Sequence, residues 1–375
     1  MKKTKWLLTF LFIGLIFGFV SCTEDTNDIT TTKEETLSKG FFILCEGNWG
    51  NNNSSLDFYD VESQKVTLDL FSNINGQGLG DTGNDMIEFG DYIFIAIKGS
   101  ACIQVINKDT GKLIKRIPVI DSEGTNRKPS RFCATNSMIY LCTVDGNVIE
   151  INPYSLSLGR IVKVGRNPED ICISNNKLYV TNSGGLDFNT SIGYDKTVSV
   201  VDPSTMTELK KIEVGLNPGF IKPIKDGLVG LIVKGDYSDI KFVTINTNTD
   251  ELDKTFNIPM LNFDVMDNNI IYLNYDYFGS STATIKTFDY NTETTTSTDF
   301  IKTAGVINQI TLPYGINISK SNSEVYITDA VDYVTGGKVF VFDLLGNFKY
   351  SLNVSNTPSK VIARNKSIKY LIAGK

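Results

Sequence analysis

The chain has 375 residues, a formal net charge of −6 at pH 7 and no histidine. The missing imidazole excludes His-based acid–base catalysis, Ser-His and Cys-His nucleophiles and imidazole metal ligands. The acidic balance argues against nucleic acid or anionic lipid headgroups as partners.

Met1 to Cys22 reads as an export signal rather than as fold. Lys2, Lys3 and Lys5 form a positive start, and Trp6 to Val20 is an apolar run. That run is short of the ~20 residues needed to span a bilayer. It ends Phe19-Val20-Ser21-Cys22, which resembles the lipobox of bacterial lipoproteins. The resemblance implies cleavage before Cys22 and acylation of that cysteine. Several acyl chains on one residue anchor stably, at ~0.8 kcal/mol per buried CH₂. An ordinary secretory signal with a chance cysteine is the alternative. Thr23 to Lys39 is polar and Thr-rich, so it reads as a flexible tether reaching at most ~55–60 Å. Its acidic residues Glu24, Asp25 and Asp28 look like the signal that sends some Gram-negative lipoproteins to the cell surface; a merely soluble linker is the other reading. Without the three signal lysines, 33 basic and 42 acidic side chains remain, a net charge near −9.

From residue 40 onward the chain repeats, and the copy from Asn167 to Pro218 is legible throughout. It predicts strands at Ile171–Ser174, Lys177–Thr181, Thr197–Val201 and Leu209–Val214. Asn175–Asn176 supplies a tight turn, since Asn tolerates positive φ. A four-stranded unit recurring every ~40–50 residues is the signature of a β-propeller blade. The other copies begin near Phe41, Asp85, Pro129, Pro218, Leu261 and Pro313. The first lacks a leading strand, and Pro358–Lys375 supplies SKVIAR and YLIAG at the end. A C-terminal strand would complete the first blade and close the ring. The expected fold is therefore an all-β, seven-bladed β-propeller of four-stranded antiparallel blades, with eight blades open because one strand is left over. No amphipathic helix of useful length is expected, and KVTLDLF (residues 65–71) is read as a strand. In KVFVFD, Val339 and Val341 face one side and Phe340 and Phe342 the other, as in a blade packed on both faces.

In a propeller the second-to-third loops and the fourth-to-first loops share one face, and the innermost strands line the channel. Every long segment falls on that face; the short turns, such as Asn175–Asn176 and Asp109–Gly111, fall on the other. Polar amides interleaved with rings suit a small-molecule or glycan site. The candidate ligand residues on these loops are Trp49, Asn51, Asn52, Phe188, Tyr194, Tyr237, Tyr275, Tyr277, Phe278 and Tyr333. The starts of the innermost strands add Asp85, Arg131, Asp170 and Tyr314 as a ring at the channel mouth. That ring also reads as a solvated or structural ion-pair network. No catalytic residue and no metal site is expected. Residues 78–83 match GxGxxG literally, but strands on both sides argue against a dinucleotide loop. Asp81, Asn84 and Asp85 are a minor candidate for Ca²⁺. Cys45, Cys102, Cys133, Cys142 and Cys172 have no metal spacing and read as small buried hydrophobes, with a disulfide as the alternative.

KLYVTN, TVSVVD and IEVGLNP resemble the YVTN-type propellers, which implies fold and hardly function. GFFILCEGNWGNNNSSLDFYD followed by NGQGLGDTGNDM resembles surface-lipoprotein propellers of the BtuG-like cobalamin-binding family. That resemblance implies capture of a corrinoid, or another scarce nutrient, above a TonB-dependent outer-membrane transporter. Without histidine, binding would rest on shape, amides and aromatic contacts. The expected function is thus an outward-facing, outer-membrane lipoprotein that binds a nutrient without chemistry and uses no cofactor, the corrinoid being a ligand. The alternatives are a glycan- or protein-binding propeller and, on the carboxylates present, an enzyme.

Overall fold

Seven four-stranded antiparallel sheets follow one another along the chain in the computed structural model, which describes residues 37–267, 269–275, 283–296 and 298–364. Blade 2 (Gly83–Phe89, Tyr92–Ile97, Cys102–Asn107, Leu113–Pro118) shows the plan. Its first strand is innermost and its last outermost. Blades 3 to 7 start with the innermost strands Pro129–Ala134, Pro168–Ser174, Pro218–Lys225, Asn262–Met266 and Pro313–Ser319. Blade 1 is built from both ends of the fold. Pro358–Arg364 is its innermost strand and pairs antiparallel with Gly40–Cys45, with Gly40 opposite Arg364. The missing first strand is thereby supplied, and neighbouring innermost strands pack all the way round. The fold is a seven-bladed β-propeller. The signal and tether segments, Cys22 and the surplus YLIAG lie outside the described residues.

Both faces of each blade are apolar because both are covered. Phe340 and Phe342 join Ile271, Leu273 and Ile285 of blade 6 in one buried cluster. Val339 and Val341 join Phe41, Ile43 and Tyr59 of blade 1 in another. Each such side chain contributes roughly 1.5–3 kcal/mol on burial. Outermost strands have only one such partner, so Thr207–Glu213 is exposed at all but Ile212. Asn175 and Asn176 take φ of 47° and 57°, the left-handed pair that the two-residue turn needs.

One expectation fails at residues 65–71. The strand stops at Thr67, and a short helix, Leu70–Asn75, follows. Asp69 takes φ 45° and its carboxylate accepts the Ser72 N–H, while Gly76 closes the helix in the left-handed region. Leu70 and Phe71 are thereby turned together into the core of Phe42, Phe58 and Ile95. The five cysteines among the described residues are free and buried, with no disulfide between them. The GxGxxG segment leads into a strand, with Leu79 buried and the Asp81 carboxylate accepting the Gly50 N–H at 3.0 Å.

Candidate functional site

Most of the innermost strands start with a kink. Register shifts fall at Gly83/Asp85, Pro129/Phe132, Pro168/Asp170, Pro218/Ile221 and Pro313/Gly315. Proline has no N–H for the ladder, and a bulge there lets successive side chains face the same way. In two blades a threonine of the second strand takes up the N–H freed by the bulge. Asp170 N–H donates to Thr181 Oγ1 at 3.0 Å, and Gly315 N–H to Thr328 Oγ1 at 2.8 Å. Ser130 and Arg131 consequently both line the channel mouth.

A second repeat position completes the wall. The residue directly after the second strand lines the mouth in six blades: Glu46, Lys98, Val144, Ser183, Lys234 and Tyr275. Together the two positions enclose a cavity of about 620 Å³. Its rim is aromatic. Trp49 is 59% exposed, with the Lys128 ammonium 5.9 Å from its ring centroid. Tyr314 and Tyr333 meet edge to face at 5.7 Å. Tyr237 and Tyr333 take φ of 71° and 62°, a costly conformation for bulky residues. The Tyr333 turn is clamped by Asn48, whose Nδ2 donates to the Tyr333 carbonyl at 2.6 Å, and by Asn356, which donates to the same oxygen at 3.1 Å.

The floor is charged. Asp85 accepts the Phe132 N–H, Asp170 the Ile221 N–H and Asp264 the Ile318 N–H, at 3.0, 3.0 and 2.8 Å. Each aspartate thus staples its blade to the next. Between them stand cations: Lys360 is 3.0 Å and Arg131 3.9 Å from Asp85, and Lys222 is 2.7 Å from Asp264. Arg131 also lies over the Phe220 ring at 4.5 Å. In blade order the series is Lys360, Asp85, Arg131, Asp170, Lys222, Asp264, Asn317. The last three sit two residues further along their strands, about 7 Å deeper. An alternating ring of seven must fail once, and it fails at the neutral Asn317, whose buried Nδ2 has no hydrogen-bond partner among the described residues.

Burial works against the Arg131 charge, but Asp170, Asp85, Glu169 and Glu46 outweigh it and hold its pKa above the usual value. Burial also pushes the Asp170 carboxyl up, against the pull of Arg131. The Glu46 carboxyl is raised by burial too; it accepts the Tyr314 hydroxyl at 2.9 Å. Burial pushes at Glu169 as well, but Lys234, 2.8 Å away, holds it down at about 2.

Of the residues singled out from sequence, Trp49, Arg131, Tyr237, Tyr275, Tyr314 and Tyr333 line this cavity. Asp85 and Asp170 line a smaller space of about 210 Å³, with Arg131, Cys133 and Cys172. Phe188 and Tyr194 stack on each other at 6.3 Å outside the cavity wall. Asn51 and Asn52 are exposed and also outside it; Asn52 takes the positive φ of the turn after Trp49. Tyr277 and Phe278 lie outside the described residues. Sequence reasoning missed Glu46, Lys98 and Lys234. Each is a charged residue directly after an apolar strand (FFILCE, IFIAIK, LVGLIVK), and that recurrence was a usable signal. Among the described residues no cluster of metal-ligating side chains forms, Asp81, Asn84 and Asp85 included.

Fold and site define a seven-bladed propeller whose channel mouth is a walled cavity. The chain belongs to the DUF5074 family, a domain of unknown function, which matches residues 39–357. No protein with a curated description matches it. Among solved structures it is similar to a quinonprotein alcohol dehydrogenase-like protein of Bacteroides thetaiotaomicron, at a TM-score of 0.61 and 17% identity over 88% of this chain and 79% of that one. The hydrazine synthase of Kuenenia stuttgartiensis is similar at 0.55 and 15%, over 68% and 74%. The computationally designed Ika8 protein is similar at 0.53 and 14%, over 88% and 95%. Identities this low establish the fold alone.

Proposed function

We propose that this protein is a binding propeller that captures a small nutrient in the channel mouth without chemistry, a corrinoid first. The observation that carries the reading is the cavity itself: aromatic rings on clamped, strained loops stand over a floor already fixed by inter-blade hydrogen bonds. That is the preorganisation a binding site needs. A corrin with its amide side chains is bulkier than 620 Å³, so it would seat one face in the open mouth. The amides of Asn84 and Asn262 and the hydroxyls of Ser130 and Ser359 on the wall suit its amide periphery. The floor aspartates are each committed to a backbone N–H, which favours binding over turnover. The reading includes a lipid anchor at Cys22, an outward-facing position on the outer membrane and hand-over to a TonB-dependent transporter. Leu37 N–H donates to the Asp109 carbonyl at 2.6 Å, so residue 37 sits on the short-turn face. Calorimetric titration with cyanocobalamin tests the reading: one-to-one binding supports it, and absence of heat removes the corrinoid.

A second reading, a glycan- or protein-binding propeller, is favoured by one observation. Leu186, Phe188 and Ile192 stand 60%, 55% and 66% exposed on one long loop of the binding face. Binding of an oligosaccharide or a protein that is lost in Phe188→Ala, with cyanocobalamin inert, would select it.

A further inference from the structure

The cavity wall carries more positive charge than its surroundings explain. Lys98, Arg131, Lys222, Lys234 and Lys360 line it, against only Glu46 and Glu169, in a chain whose net charge is −6. The other acids, Asp85, Asp170 and Asp264, are held by the backbone N–H groups of the next blade. The result is an alternating ring whose carboxylates are held by backbone N–H groups while its cations reach the cavity wall. Lys234 is spent on Glu169, Lys360 on Asp85 and Lys222 on Asp264.

Lys98 is different. Its backbone is pinned at both ends, the N–H donating to the Thr82 carbonyl at 2.8 Å and the carbonyl accepting Asn126 Nδ2 at 3.0 Å. Its side chain is half-buried on the cavity wall and forms no ion pair among the described residues. Glu46 and Glu169 both feel its charge, but neither reaches it as a partner. With no carboxylate in contact, its three N–H donors are open to an incoming anion.

We propose that the mouth cavity is an anion site, in which the Lys98 ammonium, with Arg131 and Lys234 on the same wall, takes a phosphate, sulfate or carboxylate group of the ligand while the ligand's apolar part lies against the rim aromatics. This rests on the reading of the mouth as a ligand site and specifies the ligand's charge. Lys98 is a binding residue, supplying a charge-assisted hydrogen bond. Within the corrinoid reading, the anionic group is the phosphodiester of the nucleotide loop.

Two planar dyes of opposite charge separate the possibilities without knowledge of the natural ligand. Fluorescence anisotropy is measured with pyranine, a pyrene trisulfonate, and with the cation proflavine. The expected result is pyranine binding that weakens with added NaCl, weakens at least tenfold in Lys98→Met, returns in Lys98→Arg and is unchanged in Lys210→Met on an exposed outer strand. Pyranine binding that is absent, indifferent to Lys98→Met, or no tighter than that of proflavine overturns the proposal. The salt titration needs no variant and stands if Lys98→Met folds poorly. Cyanocobalamin and dicyanocobinamide, which lacks the phosphodiester, are titrated alongside. Pyranine binding with cyanocobalamin inert keeps the anion site and removes the corrinoid. Equal affinity for both corrinoids with pyranine inert keeps the corrinoid and removes the anion site.

Discussion

At the scale of single residues, two repeat positions make the site: the bulged start of the innermost strand and the residue after the second strand. The first was legible, because each repeat's proline aligns the ring, and Arg131 and Tyr314 follow from it. The second was not read, because a lone Glu46 or Lys98 after an apolar strand looks like an ordinary solvated end. Its meaning emerges only when seven strands are laid side by side. The Glu169–Lys234 pair gives a pH prediction. With its pKa lowered to about 2 in the folded state, Glu169 stabilises the fold above its ordinary pKa near 4.5, and that contribution is lost as pH falls from 4.5 toward 2. With a third of the side chain exposed, the contribution is about 2 kcal/mol at most. Glu169→Gln is expected to lower stability by that amount at pH 7 and to flatten the pH dependence in that window, read from urea midpoints between pH 5 and 3. Equal slopes for the two proteins would refute the pair's role. On the rim, Trp49→Ala is expected to weaken ligand binding at least tenfold with the melting temperature within a degree or two of wild type, since the ring is 59% exposed. Calorimetry and melting curves check both halves.

At the scale of elements, ring closure decides stability. The closing strand ends in Arg364, 4% exposed, which donates to the Lys108 carbonyl at 3.0 Å, to the Ser38 carbonyl, and to Asp109 at 3.0 Å. At the other end of the same junction, buried Asp57 accepts from Ser355 N–H at 2.7 Å and Asp69 N–H at 2.8 Å. Arg364→Ala leaves the largely buried Asp109 carboxylate without this ion pair and frees the strand's end, so a loss of about 3–5 kcal/mol is expected in urea unfolding. A loss below 1 kcal/mol would mean that closure does not depend on this clamp. The strand pairing itself was readable from the surplus of apolar segments at the C-terminus. The helix at Leu70–Asn75 was not, because Val66, Leu68 and Leu70 alternate like a strand. What overrides alternation is chemistry at its ends: an N-capping Asp69 and a left-handed Gly76.

At the scale of the whole molecule, seven is the number that matters. Staples of Asp85, Asp170 and Asp264 join blades 2 to 3, 4 to 5 and 6 to 7, and the odd blade is tied by chain closure instead. The fold could be read from sequence because each blade repeats the same pattern of strand and turn. The site could be read only in part, because its walls come from residues remote in sequence: Tyr333 is clamped by Asn48, and Lys360 reaches Asp85. We propose that the mouth is a binding site and not merely the end of a packed channel. The most direct test is calorimetric titration of cyanocobalamin into the protein purified without a polyhistidine tag, since a tag would supply the imidazole the chain lacks. One-to-one binding is expected, at least tenfold weaker in Trp49→Ala while the melting temperature holds. No heat and no shift in melting temperature with cyanocobalamin, pyranine or oligosaccharides would contradict it.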